Sequence, residues 1–217
     1  MNKFSIVLIG CSLAISQLVS SAQAQCENLP SSESDVLLSL RSAVNENNLL
    51  QVNFDEGVFC LVARDAVDLE QLASSAVHVN PDLDEIAVQS AVDGFETWLR
   101  IDSKYEDALV LDRKTSEDLG LTDAEFLGDN SLLEASNFFI EYVASLEIGD
   151  YQLRDIEANI PHLKVPYDQY QGRGPKPALS DPEAEHLTVG TIGEAVLEDL
   201  IITLDFTNNR IYMTAAR

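Results

Sequence analysis

Apolar residues recur along this chain in two rhythms. After Ser31-Ser32-Glu33-Ser34-Asp35, which offers several helix caps, Val36, Leu37, Leu40 and Val44 return at helical spacing. Asn45 to Asn48 stops that run. Val52-Asn53-Phe54 and Val58 to Val62 then predict two short strands around Asp55-Glu56-Gly57, and Ala66 to Ser75 predicts a second helix. From about Asp82 onward the rhythm is that of strands broken by tight turns. Ile86–Val92 and Phe95–Ile101 flank Asp93-Gly94, a hairpin signal because both turn positions tolerate positive φ. Tyr142–Ile148 and Tyr151–Ile160 flank Gly149-Asp150, and Leu200–Phe206 and Arg210–Met213 flank Asn208-Asn209. Ala108-Leu109-Val110-Leu111 reads as a short buried strand. A brief helix follows over Thr115–Leu119, with Thr115 as cap and Gly120 as stop, and another is expected near Glu194–Glu198. Pro161 to Pro182, rich in proline and holding Gly172 and Gly174, reads as a long loop.

Charge changes this picture more than length does. The 217 residues carry 13 Lys and Arg against 37 Asp and Glu, a net charge of −24. Such a balance excludes binding of nucleic acid by phosphate neutralisation and disfavours anionic membrane surfaces. It favours solubility and, for a macromolecular partner, a cationic one. The start of the chain reads as an export signal. Lys3 precedes a mostly apolar run from Phe4 to Val19, and Ala22-Gln23-Ala24 fits a small-x-small cleavage pattern, placing the mature start at Gln25. Leu8-Ile9-Gly10-Cys11 also resembles a lipoprotein processing box, at the expense of a much shortened apolar run. Cleavage at Gln25 leaves Cys26 and Cys60, and two cysteines in an oxidising compartment predict one structural disulfide. A periplasmic or secreted protein with no membrane span is therefore expected, organised as a signal peptide (1–24), an N-terminal accessory region (25–81) and a β-rich domain (82–217).

The β-rich part carries a resemblance. Val92-Asp93-Gly94-Phe95 opens a strand that runs through Trp98-Leu99-Arg100-Ile101 into Asp102-Ser103-Lys104. The small apolar run Ala108–Leu111 follows, then a short helix closing on Leu119-Gly120-Leu121. This resembles the retropepsin-like aspartic protease family, in which a strand ends in Asp-Thr/Ser-Gly and a helix ends in Leu-Gly. Leu146–Gly149 with Leu153–Ile156 is similar to the family's middle hairpin. Val189-Gly190-Thr191-Ile192-Gly193 is similar to its second glycine-containing turn, and Leu197–Met213 to its closing helix and hairpin. The resemblance implies a mainly β fold, a closed acid-protease barrel with short helices, preceded by a small α+β N-terminal extension.

It also implies a site. Aspartic proteases use two carboxylates sharing one proton, because two like charges about 3 Å apart resist ionising together. A single-lobed chain supplies one Asp, so the second comes from a symmetry mate. Asp102 matches the catalytic position, and Ser103 keeps the hydroxyl that braces the paired loops. Lys104 departs from the pattern. The family has glycine there, where a side chain crowds the axis, and a cation beside a carboxylate pair favours the fully ionised form over the shared proton. Tyr105 and Glu106 also stand where small residues are usual, Val189 replaces an acid, and the flap expected within Phe126–Ile140 contains only Gly128. These departures predict a degenerate site that binds a peptide or protein partner without cleaving it. The alternative is an active endopeptidase working as a homodimer through Asp102. No cofactor and no metal site is expected: His78, His162 and His186 are widely spaced, and Asn80–Glu85 lacks the glycine and final acid of a calcium loop.

Overall fold

The computed structural model describes residues 24–29, 37, 40–80, 85–121, 138–162 and 188–216. The signal segment, most of the helix expected over Val36–Val44, most of the expected flap and the proline-rich loop lie outside those residues. Among these residues, twelve strands form one sheet. They are β1 (Gln25–Asn28), β2 (Asn48–Asn53), β3 (Val58–Ala63), β4 (Ala73–Asn80), β5 (Glu85–Val92) and β6 (Phe95–Ile101). The rest are β7 (Leu109–Leu111), β8 (Phe138–Ile148), β9 (Tyr151–Pro161), β10 (Thr188–Ile192), β11 (Leu200–Asp205) and β12 (Arg210–Ala215). Among the described residues, two short helices are complete, α1 (Arg113–Asp118) and α2 (Glu194–Leu197).

The strand order is β1-β3-β2-β11-β12-β4-β5-β6-β10-β7-β9-β8, and a further pairing of β5 with β8 closes the last six strands into a barrel. The fold is mainly β and closed, as expected. Closure removes the exposed edges that an open sheet would present. The other six strands continue from the barrel as a wing. β4 makes the junction: Ala73–Ala76 pair with β12, and Val77–Asn80 pair with β5. β2 lies against β11, so strands from residues 25–81 are hydrogen-bonded to strands from 82–217. One apolar cluster runs through both parts, from Leu50, Val52, Ile202 and Leu204 in the wing to Val88, Leu99, Leu109 and Val143 in the barrel. Each such side chain contributes about 1.5–3 kcal/mol when fully buried.

The turn signals hold. Asp93 and Gly94 both have positive φ (49° and 81°) between β5 and β6, which the primed hairpin turn requires. Two local expectations change. Ala66–Ser75 is not a helix: two 3-10 turns, Arg64–Ala66 and Leu69–Gln71, lead into β4. Two neighbouring strands offer β4 a full hydrogen-bonding ladder, and that tertiary pairing overrides a weak helical spacing. The first short helix begins earlier than expected. Asp112, not Thr115, is its cap, its carboxylate accepting the Thr115 N–H at 2.7 Å. Gly120 does end it, with φ 70°.

Candidate active site

β6 carries Asp102 to the end of the barrel, where β10 runs parallel to it on one side and β5 antiparallel on the other. The Asp102 N–H donates to the Ile192 carbonyl at 3.0 Å, which fixes the residue at the point where the strand stops. The chain then turns through Ser103 and Lys104, and the Tyr105 N–H closes the turn on the Asp102 carbonyl at 3.2 Å.

The loop beyond is fastened at several points. Gly193 and Glu194 donate backbone N–H groups to the carbonyls of Ala108 and Tyr105, at 2.9 and 2.6 Å. Gly193 sits so close that a Cβ there would meet the Asp107 carbonyl oxygen at 2.1 Å and that of Tyr105 at 2.4 Å. A side chain is therefore excluded, which gives the second glycine motif a physical reason. From β9, the buried Asn159 amide donates to the Tyr105 hydroxyl at 2.6 Å and to Asp107 Oδ2 at 2.8 Å. Burial first, then the nearby Asp107 charge, push the Tyr105 phenol up to about 12, against the opposing effect of the Asn159 hydrogen bond. Tyr105 and Asp107 thus act as struts of the loop.

Both carboxylate oxygens of Asp102 are engaged. Oδ1 accepts the Lys104 backbone N–H at 3.0 Å, and Oδ2 accepts the Arg100 Nη2 at 2.8 Å. The Arg100 side chain is 15% exposed and that of Asp102 28%. Lys104 is exposed, and what it offers Asp102 is its backbone N–H. The close cation is Arg100, which the sequence reading passed over. Its signal was available: residues two apart on a strand share a face, so Arg100 and Asp102 had to lie side by side. The register that sets Ala87 opposite Arg100 carries Glu85 to the same neighbourhood. Burial raises the Glu85 carboxyl above its ordinary value, with the Arg100 charge and a Thr188 hydrogen bond opposing. Arg100 therefore stands between two carboxyl groups. Ser103 is half-buried in the turn, beside Asp102 in sequence.

Elsewhere the expected disulfide is present, joining Cys26 on the edge strand β1 to Cys60 on β3. Among the described residues, no helix is long and apolar enough to cross a membrane.

No family model and no curated protein matches the chain. Solved structures do. A retropepsin-like aspartic protease from Rickettsia conorii is 14% identical, with a TM-score of 0.41, the alignment covering 67% of this chain and 94% of that one. Basic 7S globulin from soybean is 11% identical, with a TM-score of 0.44, over 83% of this chain and 53% of that one. Aspartic proteinase from Irpex lacteus is 14% identical, with a TM-score of 0.38, over 82% and 59%. The chain thus spans little more than half the length of the latter two.

Proposed function

We propose that this chain is an exported protein with an aspartic-protease-like barrel whose Asp102 site holds a peptide or protein partner without cleaving it. The observation that carries this reading is the Arg100–Asp102 ion pair. Shared-proton chemistry needs a carboxyl group free to take and pass a proton. Here one oxygen accepts from a guanidinium and the other from a backbone N–H, so donors of the chain itself occupy both. Lys104 adds a side chain where the resemblance calls for glycine. Export is supported by the amino-terminal signal pattern and by a disulfide, which persists in oxidising compartments. The net charge of −24 suits a basic partner.

The second reading, an active homodimeric endopeptidase, rests on Asp102 and Ser103 standing in the order the family uses. It requires a second Asp102 across a two-fold axis. The two readings separate on incubation with a fluorescent, unstructured Lys-rich peptide. Anisotropy is expected to rise while mass spectrometry finds the peptide intact. Fragments that disappear with Asp102→Ala would favour the endopeptidase, and no rise in anisotropy would remove the binding reading.

A further inference from the structure

The outer face of the β8–β9 hairpin carries apolar surface that the Asp102 site does not use. Among the described residues three large apolar side chains stand exposed, and two of them, Ile140 and Tyr142 at 56% each, lie two positions apart on β8. Residues two apart on a strand share a face, so this exposure is concentrated rather than scattered. On the other face of the same strand Phe139 and Val143 are buried. The outward face continues into a small apolar cluster apart from the main core. There Phe138, two positions before Ile140, and Tyr105 pack against Val110 of β7.

Acids line this strip. The register sets Glu157 of β9 opposite Tyr142, whose hydroxyl donates to Glu157 Oε2 at 3.4 Å, and Asn159 opposite Ile140. Asn159 in turn donates to the exposed Asp107 at 2.8 Å. A third acid is turned outward by the backbone. Leu153 is buried while Asp155, two positions on, is exposed, and the break in alternation falls where Asp155 takes a positive φ of 54°. Val143 pairs with Ile156 and Ser145 with Arg154 in one register on either side. The left-handed residue therefore leaves the ladder in place and moves a carboxylate to the face that holds Glu157. Such a conformation costs a non-glycine residue free energy and collects at sites that meet ligands. The one base of the two strands, Arg154, donates to Gln152 at 3.2 Å.

We infer that this face, centred on Ile140, Tyr142, Asp155 and Glu157, is a docking surface for an extended, basic segment of a partner protein. An extended chain presents alternate side chains at the same two-residue interval as Ile140 and Tyr142. Its apolar residues cover that pair, and its lysines or arginines meet the carboxylates around it. The net charge of −24 draws the same kind of partner. The inference rests on the reading that the chain holds a peptide or protein partner, and it names a second surface of contact beyond the loop that follows Asp102.

The test titrates the full disulfide-bonded chain into a fluorescein-labelled peptide in which lysine alternates with valine and threonine, and into a counterpart with glutamate in place of lysine. Wild type is expected to bind the lysine peptide, more weakly as salt rises, and not the glutamate peptide. Ile140→Ser with Tyr142→Ser raises the dissociation constant about tenfold, as for the loss of central anchoring contacts. Asp155→Asn with Glu157→Gln also raises it and flattens its salt dependence, which keeps the test open should the serine pair fail to fold. Asp102→Ala, measured in parallel, reports on the Asp102 reading by itself. Affinity unchanged in both strand pairs while Asp102→Ala weakens binding would overturn this surface and leave that reading standing. The reverse pattern would uphold the surface and remove that reading. Equal binding of the two peptides, or no binding by wild type, would also overturn the assignment.

Discussion

Arg64, just past β3, and Asp205, the last residue of β11, form a two-point ion pair at 2.5 and 2.7 Å across 141 positions of sequence. The Asp205 side chain is fully buried, and the Asn208 backbone N–H and side-chain amide also donate to it. The pair ties the end of β3 to the end of β11. Breaking a buried pair from one side is costly because the remaining charge stays in a poor solvent. Arg64→Ala is expected to lose about 3 kcal/mol in urea unfolding, near the low end for such pairs because Asn208 still donates. A loss within about 0.5 kcal/mol, typical of exposed positions, would show that the clamp is not structural.

The same carboxylate sets the acid limit of stability. Burial pushes Asp205 upward, but Arg64 and Asn208 outweigh it and hold the carboxyl at about 2, below its ordinary 3.8. The unfolded chain therefore takes up this proton first, and stability falls as pH drops from about 4 to about 2. Asp199 and Glu85 are shifted the other way, by burial first. Each costs stability while ionised, so acidification into the range just above 3.8 and 4.5 returns stability before the Asp205 loss begins. Unfolding free energy is expected to peak at mildly acid pH. A steady decline from neutrality downward would contradict this.

β1 begins at Gln25, the residue at which the mature chain was expected to start, and all four of its residues are exposed. Its pairing with β3 is reinforced by Cys26–Cys60, which closes a loop of 34 positions. Loop-closure entropy puts the contribution at up to about 3–4 kcal/mol. Cys60→Ser is expected to lower the unfolding temperature and to make the chain amino-terminal to β2 a site of early proteolysis. An unchanged proteolytic pattern would show that β1 pairs without the bond.

The Asp107–Tyr105 side of the candidate site tolerates no added methyl group. Gly193→Ala forces its Cβ onto two carbonyl oxygens, and a steric conflict of this kind costs about 1–3 kcal/mol. Asn159→Ala removes instead the two hydrogen bonds that its amide donates to Tyr105 and Asp107. Both variants are expected to weaken peptide binding as well as stability, read as a raised dissociation constant in anisotropy. Binding unchanged in both would separate the loop from the binding surface.

How much was legible followed from range. The hairpins at Asp93-Gly94, Gly149-Asp150 and Asn208-Asn209 could be read because a two-residue turn and alternating strands are local chemistry. Gly120 as a helix stop was local as well. The first residues of β4, Ala73–Ser75, read as the end of a helix because their reason for being in a strand, the pairing with β12, lies elsewhere in the chain. The Arg64–Asp205 clamp depends on register and could not be seen in one dimension. Arg100 is different. Its place beside Asp102 follows from strand alternation alone, whereas the family resemblance makes only Lys104 conspicuous.

Arg100 decides between binding and cleavage, and the most direct measurement is digestion of an unstructured peptide at about pH 4–5, where a carboxylate pair can share a proton. Wild type and Lys104→Gly are both expected to leave the peptide intact, because Lys104→Gly keeps the guanidinium on Asp102. The double variant Arg100→Leu, Lys104→Gly is expected to gain cleavage that Asp102→Ala abolishes. Cleavage by the wild-type chain, lost on Asp102→Ala, would contradict the account and establish the protein as a working aspartic peptidase.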